Sequence, residues 1–177
     1  MSAELDRVLE PPALAARDWQ WRCETPLREW PRLAELNVSG AARGELVRVA
    51  VRCHEDAEGR AVLEGDLVSR LCCICQRCLD EMELEVRAQP KLVFGGADEL
   101  GPAAQAAGFE HGELEPGMTL RQLLEDEALL SVPAFPVHER SEDCGALAAK
   151  LAELEPGEGG EKSASPFAVL AELRRRN

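Results

Sequence analysis

LVSRLCCICQRCLDEMELEVRA, residues 67–88, sets four of the chain's seven cysteines between two runs that alternate apolar and polar side chains. Successive side chains of a strand point to opposite faces, so Leu71, Cys73 and Cys75 fall on one side and Cys72 and Ile74 on the other. After the cysteines, Met82, Leu84, Val86 and Ala88 share one face with charged residues between them, until Pro90 forces a break or an edge. A strand on either side makes Cys75-Gln76-Arg77-Cys78 a bend between antiparallel neighbours. A thioredoxin-like C-x-x-C needs a strand that hands over to a helix, whose N-terminus lowers the thiol pKa. The pattern here argues against that chemistry.

Four thiols on alternating faces cannot converge on one ion, but Cys75 and Cys78 at a tight turn can approach a tetrahedral metal. Cys72 and Cys73 are then small core residues. His138 and Cys144, in the segment after the next helix, are the nearest candidates for two further ligands. The turn therefore has two readings: a zinc site of Cys75, Cys78, His138 and Cys144, or a metal-free bend that carries cysteines.

Upstream, residues 44–75 extend the alternation. Leu46, Arg48, Ala50 and Arg52 face one way and Val47, Val49, Val51 and Cys53 the other, which predicts a strand. HEDAEG supplies turn residues, and Ala61 to Cys75 resumes an extended pattern, with Glu64-Gly65-Asp66 expected as a bulge or a second turn. With residues 82–88 this makes three consecutive antiparallel strands. WQWRCETP predicts a short earlier strand ended by Pro26, and LREWPRLAEL a helix kinked or restarted at Pro31. Downstream, residues 95–118 combine glycine, proline and acidic groups without apolar periodicity, the composition of a mobile loop.

Thr119 and Gln122 have the spacing of a capping box, so a helix starts there and runs to Pro133. Its stripe is read as Leu120, Leu123, Leu124, Leu130 and Ser131, with Glu127 in the middle. GALAAKLAELEP predicts a second short helix, GEGGEKSAS a polar linker over residues 156–165, and Ser165-Pro166 the start of a docking helix over residues 166–177. The expected architecture is α+β: an antiparallel sheet of three or more long strands, open or barrel-like, packed with a few helices in one domain over residues 1–155.

Composition limits the function. Twenty basic against thirty-three acidic side chains give 20 − 33 = −13, and aromatics are only 4% of residues. So negative a surface repels phosphate backbone, and few rings remain for stacking bases. No run of eighteen apolar residues spans a membrane, no signal peptide is evident, and the crowded, odd-numbered cysteines fit reduced thiols, so a cytoplasmic protein is expected.

ICQRCLDEMELEV, LLEDEALLSVPAFPVHERSEDC and SPFAVLAELRRR, in that order, resemble the bacterial YceD family over about residues 45–177 and more loosely before them. The resemblance implies a cytosolic, non-catalytic factor in the accumulation of 23S ribosomal RNA and so in large-subunit biogenesis. The matching positions are Cys75, Gln76, Arg77 and Cys78 in the turn, and Glu125, Asp126 and Glu127 on the helix. Pro133, Pro136 and His138 match after it, and Pro166 and Phe167 in the tail. Many relatives carry further cysteines after the helix, where this chain keeps only Cys144.

Gln76, Arg77, Glu125, Asp126 and Glu127 are the candidate binding residues, and no catalytic residue is assigned. A carboxylate buried within the helical stripe needs a partner, which predicts a pair between Glu127 and Arg77; the alternative places Glu127 at the solvated end of the stripe, away from any guanidinium. Adjacent carboxylates diverge on a helix, which argues against a hydrolase centre at Glu125 and Asp126. The expected partner is a ribosomal or assembly protein drawn by the acidic surface. The alternative is direct binding of ribosomal RNA through Arg48, Arg52, Arg70, Arg77 and Arg87. An enzyme of unknown reaction is the remaining one.

Overall fold

Strand-period burial along residues 46–88 is what the structure realises first. The computed structural model describes residues 2–38, 45–95, 100–145, 147 and 150. The chain divides after His138 into two units, residues 1–138 and 139–177. In the first, α1 (Pro11–Ala15) precedes β1 (Trp19–Pro26), and α2 (Pro31–Glu35) restarts at Pro31 after a single 3-10 turn, Leu27–Glu29. Then come β2 (Leu46–Glu55), β3 (Ala61–Ile74), β4 (Glu81–Ala88) and β5 (Lys91–Phe94). The short α3 (Pro102–Ala106) and β6 (Glu110–His111) lead to α4 (Leu120–Ser131). In the second unit a 3-10 turn spans Ser141–Cys144.

The sheet runs β1-β2-β3-β5-β6, with β4 also on β3, and among the described residues it stays open. All pairings are antiparallel except β5 with β6. The long β3 holds two strands on one flank: Ala61–Glu64 pairs with β5 and Leu67–Ile74 with β4. Between them lies Gly65, where a bulge or turn was expected. The strand instead continues, and the Gly65 N–H donates to the Pro90 carbonyl at 2.9 Å, which brings Pro90 close against the backbone. A Cβ there would meet Pro90 Cγ at 2.9 Å, inside normal contact.

Val47, Val49, Val51 and Cys53 of β2, Leu63, Leu67 and Leu71 of β3, and Val86 and Ala88 of β4 are buried on one face, as alternation requires. Helices α1, α2 and α4 supply the facing apolar side chains, among them Leu14, Leu33, Leu120 and Leu124. Val62 and Val93 point the other way and meet Leu100, Ala104 and Phe109. The stretch read as a mobile loop thus contains an ordered helix that packs on the second face of the sheet at Val62 and Val93, and a strand that extends the sheet beside β5. Its signal, a few apolar residues among glycines, was too sparse for periodicity.

The capping box forms: Gln122 N–H donates to Thr119 Oγ1 at 3.3 Å and Thr119 N–H to Gln122 Oε1 at 2.9 Å. The N-terminal strip completes this helix end, because Leu5 and Arg7 carbonyls accept the Arg121 and Leu120 N–H groups at 2.8 and 3.3 Å. These are donors that a helix cannot satisfy internally. Arg121 also lies over the Trp30 ring, 5.4 Å from its centroid, and bonds to Asp6 and the Glu29 carbonyl. The expected helix from residue 145 lies largely, and the linker and docking helix wholly, outside the described residues.

Candidate metal centre

Cys75 follows directly on β3, whose end is held on both sides. β4 pairs with it through Ile74 and Glu81, while Val38 N–H donates to the Cys72 carbonyl and Asn37 Oδ1 accepts the Cys72 N–H. The chain then folds back on itself: Cys75 N–H donates to the Asp80 carbonyl and Leu79 N–H to the Cys75 carbonyl, both at 2.9 Å. Closing this bend forces Leu79 to φ +65°. That left-handed conformation normally suits glycine or asparagine and costs a side-chain-bearing residue about 1–2 kcal/mol.

The bend directs N–H groups at sulfur. Arg77 N–H donates to Cys75 Sγ at 3.4 Å. Burial pushes the Cys75 thiol up, but the backbone N–H groups of Cys78, His138 and Arg77 and the Cys78 side chain outweigh it and bring the thiol down to about 5. A sulfur with this environment is a thiolate at neutral pH, the form that binds metal. Cys23 and Cys53 show the contrast: burial, the largest cause at Cys23 and the sole one at Cys53, raises each to about 11.

The loop after α4 is tied to this bend, since Gln76 N–H donates to the Pro136 carbonyl at 2.8 Å. It brings His138 Nδ1 to 3.5 Å from Cys78 Sγ. The ligand atoms of Cys75, Cys78 and His138 all lie within 4.8 Å of one another. Zinc–sulfur and zinc–nitrogen bonds near 2.3 and 2.0 Å give tetrahedral edges of about 3.6 Å, so three donors are at metal-binding spacing. Cys144, in the second unit, is buried at the end of its 3-10 turn. Cys72 and Cys73 stay out of the cluster, Cys73 facing the core as alternation predicts.

The acidic helix motif does something else. Glu125, only 2% exposed, is the buried carboxylate, and its Oε1 accepts the N–H groups of Arg32 and Leu33 at 2.8 and 3.1 Å. These are the unpaired donors of the first turn of α2, whose own N-cap, Trp30, offers no side-chain bond. Asp126 forms an ion pair with Arg32. The expected burial of Glu127 and its pair with Arg77 are therefore corrected. Leu130 is 81% exposed and Ser131 is exposed, so the last turn of α4 leaves the core and Glu127 is half-buried. No ion pair joins Glu127 to a guanidinium among the described residues. Burial, then the neighbouring Glu110 and Asp126 charges, raise its pKa. Glu125 sits on the flank of the apolar stripe, and only the docking of α2 buries it.

The outward sheet face is mixed in sign. Arg52 pairs with Asp18 and Arg87 with Asp66, each at 2.9 Å. Arg48 and Arg70 share a groove with Glu24, Glu45 and Glu83. Burial, then Glu83, raises the Glu45 pKa. Among the described residues no helix is long and apolar enough to cross a membrane.

A family model described as large ribosomal RNA subunit accumulation protein YceD matches residues 63–174, which span β3 and the cysteine turn, α4 and the segment beyond it. No solved structure matches the chain.

Proposed function

Because the chain belongs to the YceD family, we propose that it serves large ribosomal RNA subunit accumulation as a non-catalytic factor that binds a basic ribosomal or assembly protein, not bare RNA. The observation that supports a protein partner is the fate of the sheet arginines. Arg52 and Arg87 are neutralised by Asp18 and Asp66, and Arg48 and Arg70 sit among carboxylates. With a net charge of −13, and with these four arginines paired or set among carboxylates, the described part of the outward face is poorly suited to a phosphate backbone. An acidic surface instead steers basic proteins, in a salt-dependent way.

In the same reading Cys75, Cys78 and His138 hold a structural zinc ion that fixes the bend at the end of β3. The donor chemistry supports this, with a thiolate-stabilising N–H array and an imidazole at coordination spacing.

The test is a gel shift of the purified chain with large-subunit RNA, set beside capture of RNA-free large-subunit proteins. Capture that weakens steeply between low and high salt, with no RNA shift, is the expected result. A tight RNA shift by the chain alone would reverse the reading in favour of the arginine module.

A further inference from the structure

The turn of the cysteine bend carries an exposed apolar side chain for which the metal chemistry has no use. Leu79 is 72% exposed and held at a left-handed φ, a position where glycine or asparagine would form the same bend more easily. Beside it runs the loop fastened by the Gln76 N–H to Pro136 bond, and the residues flanking Pro136 are also apolar and open: Phe135 is 77% exposed and Val137 39%. A single exposed leucine needs no explanation, but a leucine, a phenylalanine and a valine left open on two loops bonded to each other concentrate apolar surface at one corner of the fold.

The charge next to this patch is predominantly acidic, although Arg77 lies in the same bend and Arg70 stands opposite Glu85. Asp80 follows Leu79 directly, and β4 then presents Glu81, Glu83 and Glu85 on its exposed face, in alternation with the inward Met82, Leu84 and Val86. Among the described residues β4 pairs only with β3. Charged side chains on an edge strand also guard against edge-to-edge aggregation, and that alone would account for the glutamates. It does not account for Leu79 and Phe135, which add apolar surface at the end of the same strand.

We propose that the Leu79–Phe135–Val137 patch and the Glu81–Glu83–Glu85 ladder form one docking surface for a basic polypeptide segment that places an apolar anchor on the patch and lysine or arginine side chains along the ladder. The chemistry is that of an apolar hot spot with a charged rim: the anchor supplies affinity and the rim supplies steering and register. This proposal rests on the reading that the partner is a protein, and it adds where that protein binds.

The probe is the set of RNA-free proteins extracted from large ribosomal subunits, captured on immobilised full-length chain. Three forms are compared: wild type, Leu79→Asn with Phe135→Ser, and Glu81→Gln with Glu83→Gln and Glu85→Gln. Asparagine suits the left-handed bend, so the first variant keeps the fold, which circular dichroism and metal content verify. Each variant is expected to weaken capture of a basic protein about tenfold or more at fixed salt. Only the glutamine variant should flatten the salt dependence. Equal capture by all three forms sinks the docking surface and leaves the protein-partner reading intact. No capture by wild type, with a shift of large-subunit RNA instead, sinks both. Sedimentation that shows a wild-type dimer abolished by the Leu79 and Phe135 changes assigns the patch to a second copy of the chain and overturns the proposal.

Discussion

Replacing Glu125 by alanine is the sharpest test of how this fold is held. The carboxylate is 2% exposed and accepts the Leu33 N–H in a fully buried setting and the Arg32 N–H in a partly buried one. Alanine leaves both donors without a partner. A buried N–H left unpaired costs about 1–3 kcal/mol. The Leu33 donor should cost about 2 kcal/mol and the Arg32 donor, which water can reach, about 1 kcal/mol, for a total of about 3 kcal/mol. Against the ~5–15 kcal/mol that stabilises a typical domain, this is a large loss, equivalent to a fall in Tm of about 6–12 °C for a chain of this size. Glutamine keeps an acceptor oxygen and gives up only the charge, so Glu125→Gln should cost about 1–1.5 kcal/mol. The control is Asp126→Ala, which removes an ion pair whose side chains are 54% and 39% exposed and should have much the smaller effect. Urea unfolding followed by circular dichroism reads all three. If Asp126→Ala destabilises as much as Glu125→Ala, or if Glu125→Ala is neutral, the cross-helix cap is not what fastens α2 to α4.

Glu127 gives a pH signature of opposite sign to an ion-paired acid. Its folded pKa is raised above the ordinary value of 4.5 by burial and by Glu110 and Asp126, so the folded state holds its proton more firmly than the unfolded one and stability falls as pH rises through that window. Glu127→Gln should therefore be more stable than wild type at pH 7, with the difference vanishing below about pH 4.5, a comparison made by thermal unfolding across pH. Gly65→Ala should destabilise by about 1–3 kcal/mol in urea unfolding, since its Cβ would press on a Pro90 ring pinned by the Gly65 N–H to Pro90 bond. Metal analysis of chain prepared without a histidine tag should find about one zinc per chain, with Cys75→Ser and Cys78→Ser each losing it. A chelator should lower the Tm of wild type and leave that of the serine variants unchanged.

The sheet was legible because its burial is a local property of each strand. Val47, Val49, Val51 and Cys53, or Leu71, Cys73 and Cys75, show their face through alternation alone. The capping box was legible for the same reason, since Thr119 and Gln122 bond to each other within one turn. What the sequence hid depends on distant partners. Gly65 looks like a turn residue until Pro90, twenty-five positions on, is seen to lie against it. Glu125 looks like the solvated flank of a helix until α2, more than ninety positions earlier in the chain, puts its open N–H groups there. His138 was picked as a ligand by chemistry, but its arrival at Cys78 is the work of the Pro136 carbonyl, a backbone atom that composition cannot reveal.

The three carboxylates of the helix motif show how an acidic protein divides its charge. Glu125 is spent on backbone donors and Asp126 on Arg32, and Glu127 is held against its like-charged neighbours with its proton affinity raised. Arg52, Arg60 and Arg87 are likewise absorbed by Asp18, Asp56 and Asp66. The negative potential that reaches solvent must then come from carboxylates outside these pairs. Glu81, Glu83 and Glu85 contribute to it from consecutive outward positions of one strand, where their fields add, with Arg70 opposite Glu85 offsetting part of the sum. Only part of this acidity is met by a cation on the neighbouring strand, where Arg70 stands opposite Glu85. The docking surface proposed above would use the remainder, beside the exposed Leu79, to draw a basic segment to the apolar corner of the cysteine bend.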